Sequence, residues 1–441
     1  FSNTMRSKWR RKLYFLLNPR SEYEDSDDED SIGNQDGEPD KSSNVQTFWN
    51  IFNANQGVAV LTMPFVVKCG GWLALLSIAG VAVISNYTNK ILVSCLYDYK
   101  NGERYRARNS YMDIGDAFSG RYGRTLVHFA QIFEQMSYCT LLLILSGSIL
   151  EKSFPHMGLQ RSDWTAIAAF MVLPNILLKS ITDVSWVSFV AVLIGQVVYT
   201  ILIGFCVWHL PRWETDAVPD FDISQYGVAV GIIVVSYASQ PYMPAIEDSM
   251  KEPAKFPQVI NLAYLANTGV KLGFGIIGFL TFQEQTKQVI TRNIPHGFLH
   301  LPINVLVFGL ALSSYTIPVY TVFDLLQDVN VSWFPLATLL EGTDRLTRIT
   351  MFAARSFIIS LTLLTGVIIP HFGLYMALVG NFTGMCLAFI FPAIFHMKIC
   401  YERLEWHHFA VDTLVAVFGI FGAAIGCHFS ILALLEAYKD D

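Results

Sequence analysis

NANQGVAVLTMPF, residues 53–65, lies inside the first long apolar run of the chain and yet carries two Asn, a Gln, a Gly and a Pro. Lipid offers no water to backbone N–H and C=O groups, so irregular backbone at membrane depth is tolerated only where it is buried in protein or lines a cavity. The stretch therefore predicts a discontinuous helix, interrupted around Asn55, Gln56 and Gly57. A second stretch of the same kind, SYASQPYMP at 236–244, interrupts the apolar run that starts near Gly227. Either break alone also fits a Pro- or Gly-kinked packing helix. Together they fall in the first and sixth spans, and interrupted helices at corresponding places in two halves point to an inverted-repeat secondary transporter. The predicted repeats are spans one to five (46–209) and six to ten (226–396), with an eleventh span (407–436) added.

The bulk of the chain agrees with a lipid solvent. Of 441 residues, 53% are hydrophobic and 15% charged, against a charged share of about 25% in soluble domains. Eleven apolar runs approach or exceed the ~20 residues a helix needs to cross a bilayer, whereas barrel strands are about half as long. The fold class expected is an all-α integral membrane protein of eleven transmembrane helices, a five-plus-five inverted repeat plus one. The seven Cys show no close metal spacing and suit small buried positions. No P-loop or nucleophile elbow is present, so neither an enzyme nor an ATP-driven pump is expected. The energy source is then an ion gradient.

Placing the N-terminus in the cytosol puts Lys100, Arg104, Arg106, Arg108, Arg121, Arg124, Lys179, Lys251, Lys255, Arg345, Arg348, Lys398 and Arg403 on the cytosolic side. Lys68, Lys152, Arg161, Arg212, Lys287 and Arg292 then face outward. That asymmetry follows the positive-inside rule and leaves the C-terminus outside. Residues 1–45 form a tail, basic in RSKWRRKLYFLL and acidic in SEYEDSDDEDSIGNQDGEPD. Its acidic part is too polar to fold. Its basic part suits contact with anionic lipid, presentation of Leu16 and Leu17 to a sorting adaptor, or plain solvation.

A break at depth frees N–H groups at the start of one half-helix and C=O groups at the end of the other. The N–H groups of Gly57, Val58 and Ala59, at a positive dipole end, suit a carboxylate. Carbonyls near Ser236 to Ser239 suit an ammonium. The pair describes a zwitterionic amino acid. Candidate substrate-binding residues are Asn55, Gln56, Gly57, Val58, Ser236, Tyr237, Ser239 and Gln240, with the phenols of Tyr138 and Tyr315, which equally suit packing or the membrane interface. Glu134, inside AQIFEQMSYC of the third span, is the candidate proton-coupling group, since an intramembrane carboxyl is functional by default. Its alternative is a structural hydrogen bond or an ion pair, for which Lys271 of the seventh span is a candidate partner. Glu247 and Asp248 suit a gate or a surface at the end of the sixth span. Glu134 favours protons as the driving ion; sodium stays open, and chloride is a candidate companion.

The stretches NANQGVAVLTMPFVVKCGGW, AQIFEQMSYC, SYASQPYMPAIEDSM, QVITRNIP and LEWHHFAVD, in this order, resemble the amino acid/auxin permease family from about Thr47 to Tyr438. The resemblance implies the fold of the amino acid, polyamine and organocation transporters, a cytosolic N-terminus and a lumenal C-terminus. It implies neutral amino acids as substrates, a proton gradient as the drive, and a vesicular branch that loads GABA and glycine into acidified synaptic vesicles. By motif, Glu134 matches the family's third-span acid, Asn55 to Val58 its first break, Ser236 to Gln240 its sixth-span break and Tyr315 a Tyr of the eighth span. The chain departs from the pattern at Pro241-Tyr242 and in SSYTIP, residues 313–318. GRYGRTLVHFAQ is also similar to vacuolar amino acid exporters of the same family. Expected partners are small neutral amino acids and the bilayer, with no nucleic acid and no cofactor. An amino acid sensor that does not transport is the alternative from another class.

Overall fold

The structure, a computed structural model, describes residues 41–100, 103–177, 181–213, 222–295, 297–327, 345–369 and 371–440. The tail up to residue 40, with Leu16 and Leu17, lies outside the described residues.

The first span is broken where its sequence predicts. Helix α1 (Asn44–Ala54) starts at a capping box in which the Ser43 hydroxyl accepts the Gln46 N–H while the Gln46 side chain accepts the Ser43 N–H. It stops at Asn55, and a 3₁₀ turn (Val58–Thr62) leads into α2 (Met63–Ser94). Gly71, at φ 54° and ψ −139°, divides α2 into the rest of the first span and the whole of the second. An antiparallel hairpin of β1 (Tyr97–Lys100) and β2 (Glu103–Arg106) follows, which hydropathy alone did not predict. Helix α3 (Tyr111–Ser153) opens on a Ser110–Asp113 capping box, turns at Ser119 and Gly120, and then forms the third span. The fourth and fifth spans are α4 (Arg161–Val172), extended by a 3₁₀ turn, and α5 (Ile181–Trp208).

The sixth span repeats the device of the first. Helix α6 (Ile223–Ser236) ends at Tyr237, and after a 3₁₀ turn over Gln240–Tyr242 the short α7 (Met243–Asp248) completes the crossing. Spans seven to nine are α8 (Phe256–Phe282), the pair α9 (His300–Ser314) and α10 (Thr316–Gln327), and α11 (Arg345–Ile368). The tenth comprises α12 (Phe372–Val379), two π-helical segments and α13 (Phe391–Ile399); the eleventh is α14 (Trp406–Asp440). Eight of these stretches are long and apolar enough to cross a bilayer by length and composition, and the Val58–Ser94 stretch among them contains the Gly71 turn.

Helices α2 and α1 pack along α8, α6 lies between α2, α12 and α14, and α3 runs against α4, α9, α10 and α11. Helix α6 meets the tenth span at van der Waals limits: a Cβ on Gly380 would stand 1.9 Å from the Gly231 carbonyl oxygen, so only glycine fits. The end of the sixth span is held from two sides. Arg106 of β2 bonds Glu247 Oε2 through Nη1 at 2.5 Å and the Pro244 carbonyl through Nη2 at 3.0 Å, and Tyr97 donates to Glu247. Ser42 forms a parallel bridge to Met250, donating to the Ser249 carbonyl at 2.6 Å and accepting from the Lys251 N–H at 3.0 Å. Glu247, read from sequence as a gate or surface residue, is thus a buried and clamped carboxylate.

Candidate substrate site

The two breaks are joined by one face of α8. Tyr264, Asn267 and Lys271 recur there at helical spacing, and all three are buried. The Tyr264 hydroxyl lies 3.0 Å from Ser239 Oγ, receives a hydrogen bond from Asn89 Nδ2 at 2.7 Å and meets the Asn55 side chain. Asn267 accepts from Gln56 Nε2 at 2.8 Å and donates to the Phe52 carbonyl at 3.3 Å, so it holds the last turn of α1. Lys271 Nζ donates to the freed Ser236 carbonyl at 2.5 Å and sits 3.4 Å from the centre of the Tyr237 ring. The Tyr237 hydroxyl is held by Thr268 at 3.1 Å.

This corrects two expectations. Lys271 is not the partner of Glu134; its Nζ donates to the carbonyl that the break in the sixth span exposes. The seat foreseen for a substrate ammonium at Ser236 is therefore occupied by a side-chain donor of the protein itself. Side-chain amide oxygens remain: Asn55 Oδ1, Gln56 Oε1 and Gln240 Oε1 are buried and have no hydrogen-bond partner among the described residues. Their nitrogens are committed elsewhere, Asn55 Nδ2 to the Ile51 carbonyl at 3.0 Å and Gln240 Nε2 to Thr88 Oγ1 at 3.4 Å. Buried acceptors without donors are costly, and they are relieved by a ligand that brings N–H groups.

The opposite wall comes from the third and fifth spans. Gly57 adopts φ 49° and ψ −174°, a backbone region kept almost entirely for glycine. Its peptide is flanked on both sides. The Tyr199 hydroxyl of α5 donates to the Gly57 carbonyl at 2.5 Å, and the Tyr138 hydroxyl lies on the other side of the same peptide. A Cβ on Gly57 would lie 2.8 Å from that same hydroxyl. One turn earlier on α3, Gln135 Oε1 accepts from the Tyr242 hydroxyl at 3.1 Å. Glu134 is 6% exposed, and its Oε1 has no hydrogen-bond partner among the described residues.

Tyr315 is not brought to the breaks. Its hydroxyl lies 2.9 Å from Thr362 Oγ1 of α11, beside Cys139 of α3. Tyr199, Tyr264 and Asn267 were not singled out from sequence, and Tyr242 only as part of the departure from the family pattern at Pro241-Tyr242. The polar spacing in AYLANTGVK was a usable signal for Tyr264 and Asn267; Tyr199 has none of that kind.

Two half-helices with facing breaks, a buried polar shell between them and one carboxyl in the wall define a secondary-transporter architecture. The fold is that of Mhp1 in its inward-facing conformation, at a TM-score of 0.53 and 12% identity over 91% of this chain and 92% of that one. The chain belongs to the transmembrane amino acid transporter protein family, which matches residues 40–432. It is 33% identical over 402 residues to the vesicular inhibitory amino acid transporter of Xenopus tropicalis, covering 89% of this chain and 77% of that protein. It is 30% identical over 398 residues to the vesicular GABA transporter of Caenorhabditis elegans, covering 90% of this chain and 80% of that protein. The protein is accordingly a multi-pass membrane transporter of amino acids and not an enzyme.

Proposed function

We propose that this transporter carries small neutral amino acids, GABA and glycine first, from the cytosol into an acidified vesicle in exchange for protons. The observation that carries the reading is the donor-hungry shell of Asn55, Gln56 and Gln240 beside the strained Gly57 peptide. A substrate ammonium supplies donors to the three amide oxygens. A substrate carboxylate replaces the Tyr138 hydroxyl at the start of the 3₁₀ turn, where the helix end favours negative charge. The names of the vesicular relatives support the choice of substrate and of compartment. The repeats are taken as 46–209 and 226–396, with the N-terminus cytosolic and the C-terminus lumenal.

Glu134 moves the proton. It lies close to Tyr242 and Tyr111, between the substrate wall and the tenth span, and no cation neutralises it among the described residues. A carboxyl so placed tolerates the bundle interior best when protonated, which links its charge to the state of the site. Each pH unit across the membrane contributes about 1.4 kcal/mol per proton, about tenfold in accumulation. Each 100 mV adds about 2.3 kcal/mol per net charge moved. A zwitterion exchanged for one proton draws on both.

Reconstitution into liposomes with an acidic lumen tests the proposal. Labelled GABA and glycine should accumulate inside and be lost on adding a proton ionophore. Binding without accumulation would favour a sensor, and accumulation indifferent to the ionophore would refute proton exchange.

A further inference from the structure

Away from the substrate site, side chains that the transport reading leaves unused meet where the second and tenth spans end and the eleventh begins. His396 of α13 bonds through Nδ1 to Asp412 Oδ2 at 2.6 Å, and Asp412 Oδ1 accepts the Tyr87 hydroxyl at 2.7 Å. The Asp412 carboxylate, fully buried, fixes the His396 ring from behind. One turn on, the Cys400 N–H donates to the His396 carbonyl at 3.0 Å, which sets Cys400 on the His396 face of α13, with the Cys95 thiol as its neighbour. Cys95 is buried just after α2, while Cys400 is half-buried in the turn after α13. Cys95, His396 and Arg403 beside it hold the Cys400 thiol well below the ordinary cysteine range. An oriented Asp–His pair against a thiol is the arrangement that maintains a nucleophilic thiolate.

We propose that Cys400 and Cys95 form a peroxide-responsive dithiol at the ends of the second and tenth spans, with Cys400 oxidised first and Cys95 resolving it. The Cys400 thiolate attacks one oxygen of a hydroperoxide; an S–O bond forms, the O–O bond breaks, and the departing oxygen takes a proton from water. The Cys95 sulfur then attacks the sulfenic sulfur, forming the S–S bond and releasing the hydroxyl with the thiol proton as water. Two thiols and one hydroperoxide thus yield a disulfide, water and an alcohol, or two waters when the oxidant is hydrogen peroxide. On the cytosolic side, to which the proposed orientation assigns these ends, such bonds are transient and sensing, not structural. The consequence is mechanical. Only Leu96 separates Cys95 from β1, and the hairpin carries the Arg106 clamp on Glu247, so the disulfide would anchor the root of that clamp to the tenth span.

Peptide mapping of the purified full chain tests the site independently of transport. After hydrogen peroxide and then N-ethylmaleimide, the wild type should give a Cys95–Cys400 linked peptide that disappears with dithiothreitol. Cys95→Ser should instead give a dimedone adduct on Cys400, and Cys400→Ser neither product. The pH midpoint for alkylation of Cys400 should lie at least one unit below the ~8.5 of a free thiol, and His396→Gln should move it upward. A linked peptide joining other cysteines, or a Cys400 that stays unmodified while free glutathione is oxidised, would overturn the proposal. The wild-type map decides even if a variant does not fold.

Discussion

Gly57→Ala separates backbone strain from contact at the centre of the proposed site. At φ 49° and ψ −174° a residue with a side chain costs about 1–3 kcal/mol. The new Cβ would also stand 2.8 Å from the Tyr138 hydroxyl, which must retreat by a few tenths of an ångström. Where that strain opposes the substrate-facing geometry of the peptide, about 1–3 kcal/mol corresponds to a loss of affinity between roughly fivefold and 150-fold. Equilibrium binding of labelled GABA and glycine to the purified variant measures it, with thermal unfolding in detergent to show that the chain is folded. Repeating the substitution in a Tyr138→Phe background removes the hydroxyl and should leave only the strain. A folded Gly57→Ala protein that binds within about twofold of wild type would refute the claim that this peptide faces the substrate.

Glu134→Gln should abolish accumulation driven by a pH gradient in proteoliposomes while leaving exchange of labelled for unlabelled substrate; undiminished accumulation would count against Glu134 as the coupling group. Lys271→Ala should lower thermal stability by about 1–3 kcal/mol, because the Ser236 carbonyl loses its buried donor, and Lys271→Gln, which can still donate, should recover part of that. Arg106→Ala strands the Glu247 carboxylate and should cost about 3–5 kcal/mol in the unfolding midpoint. Arg106→Lys should fall short of rescue, since a single ammonium cannot reproduce the two fixed donors that address Glu247 and the Pro244 carbonyl.

The breaks were legible in the sequence because Asn, Gln, Gly and Pro inside an apolar run contradict an unbroken membrane helix, and the contradiction is local. Pairings between helices were not, because hydropathy gives neither the rotation of a helix nor its neighbours. Lys271 and Glu134 both stand out as buried charges, and joining them was reasonable by charge alone, but α8 turns Lys271 toward the freed carbonyl of α6. Tyr199 was invisible for a different reason. A Tyr in an apolar helix usually belongs to an interface or to packing, and only the position of Gly57 makes its hydroxyl part of the site. The hairpin was hidden because its strands are four residues each and highly charged, and they pair over too short a distance to leave a period.

The bridge between Ser42 and Met250 limits how the inner path can open. Swinging the first half-helix outward by itself would have to unzip both of the bridge's backbone hydrogen bonds, whereas moving it together with α7 as one rigid lever would leave them intact. The stitch therefore favours a paired stroke. It also places the tail where any tension applied to it is felt first at the end of the sixth span.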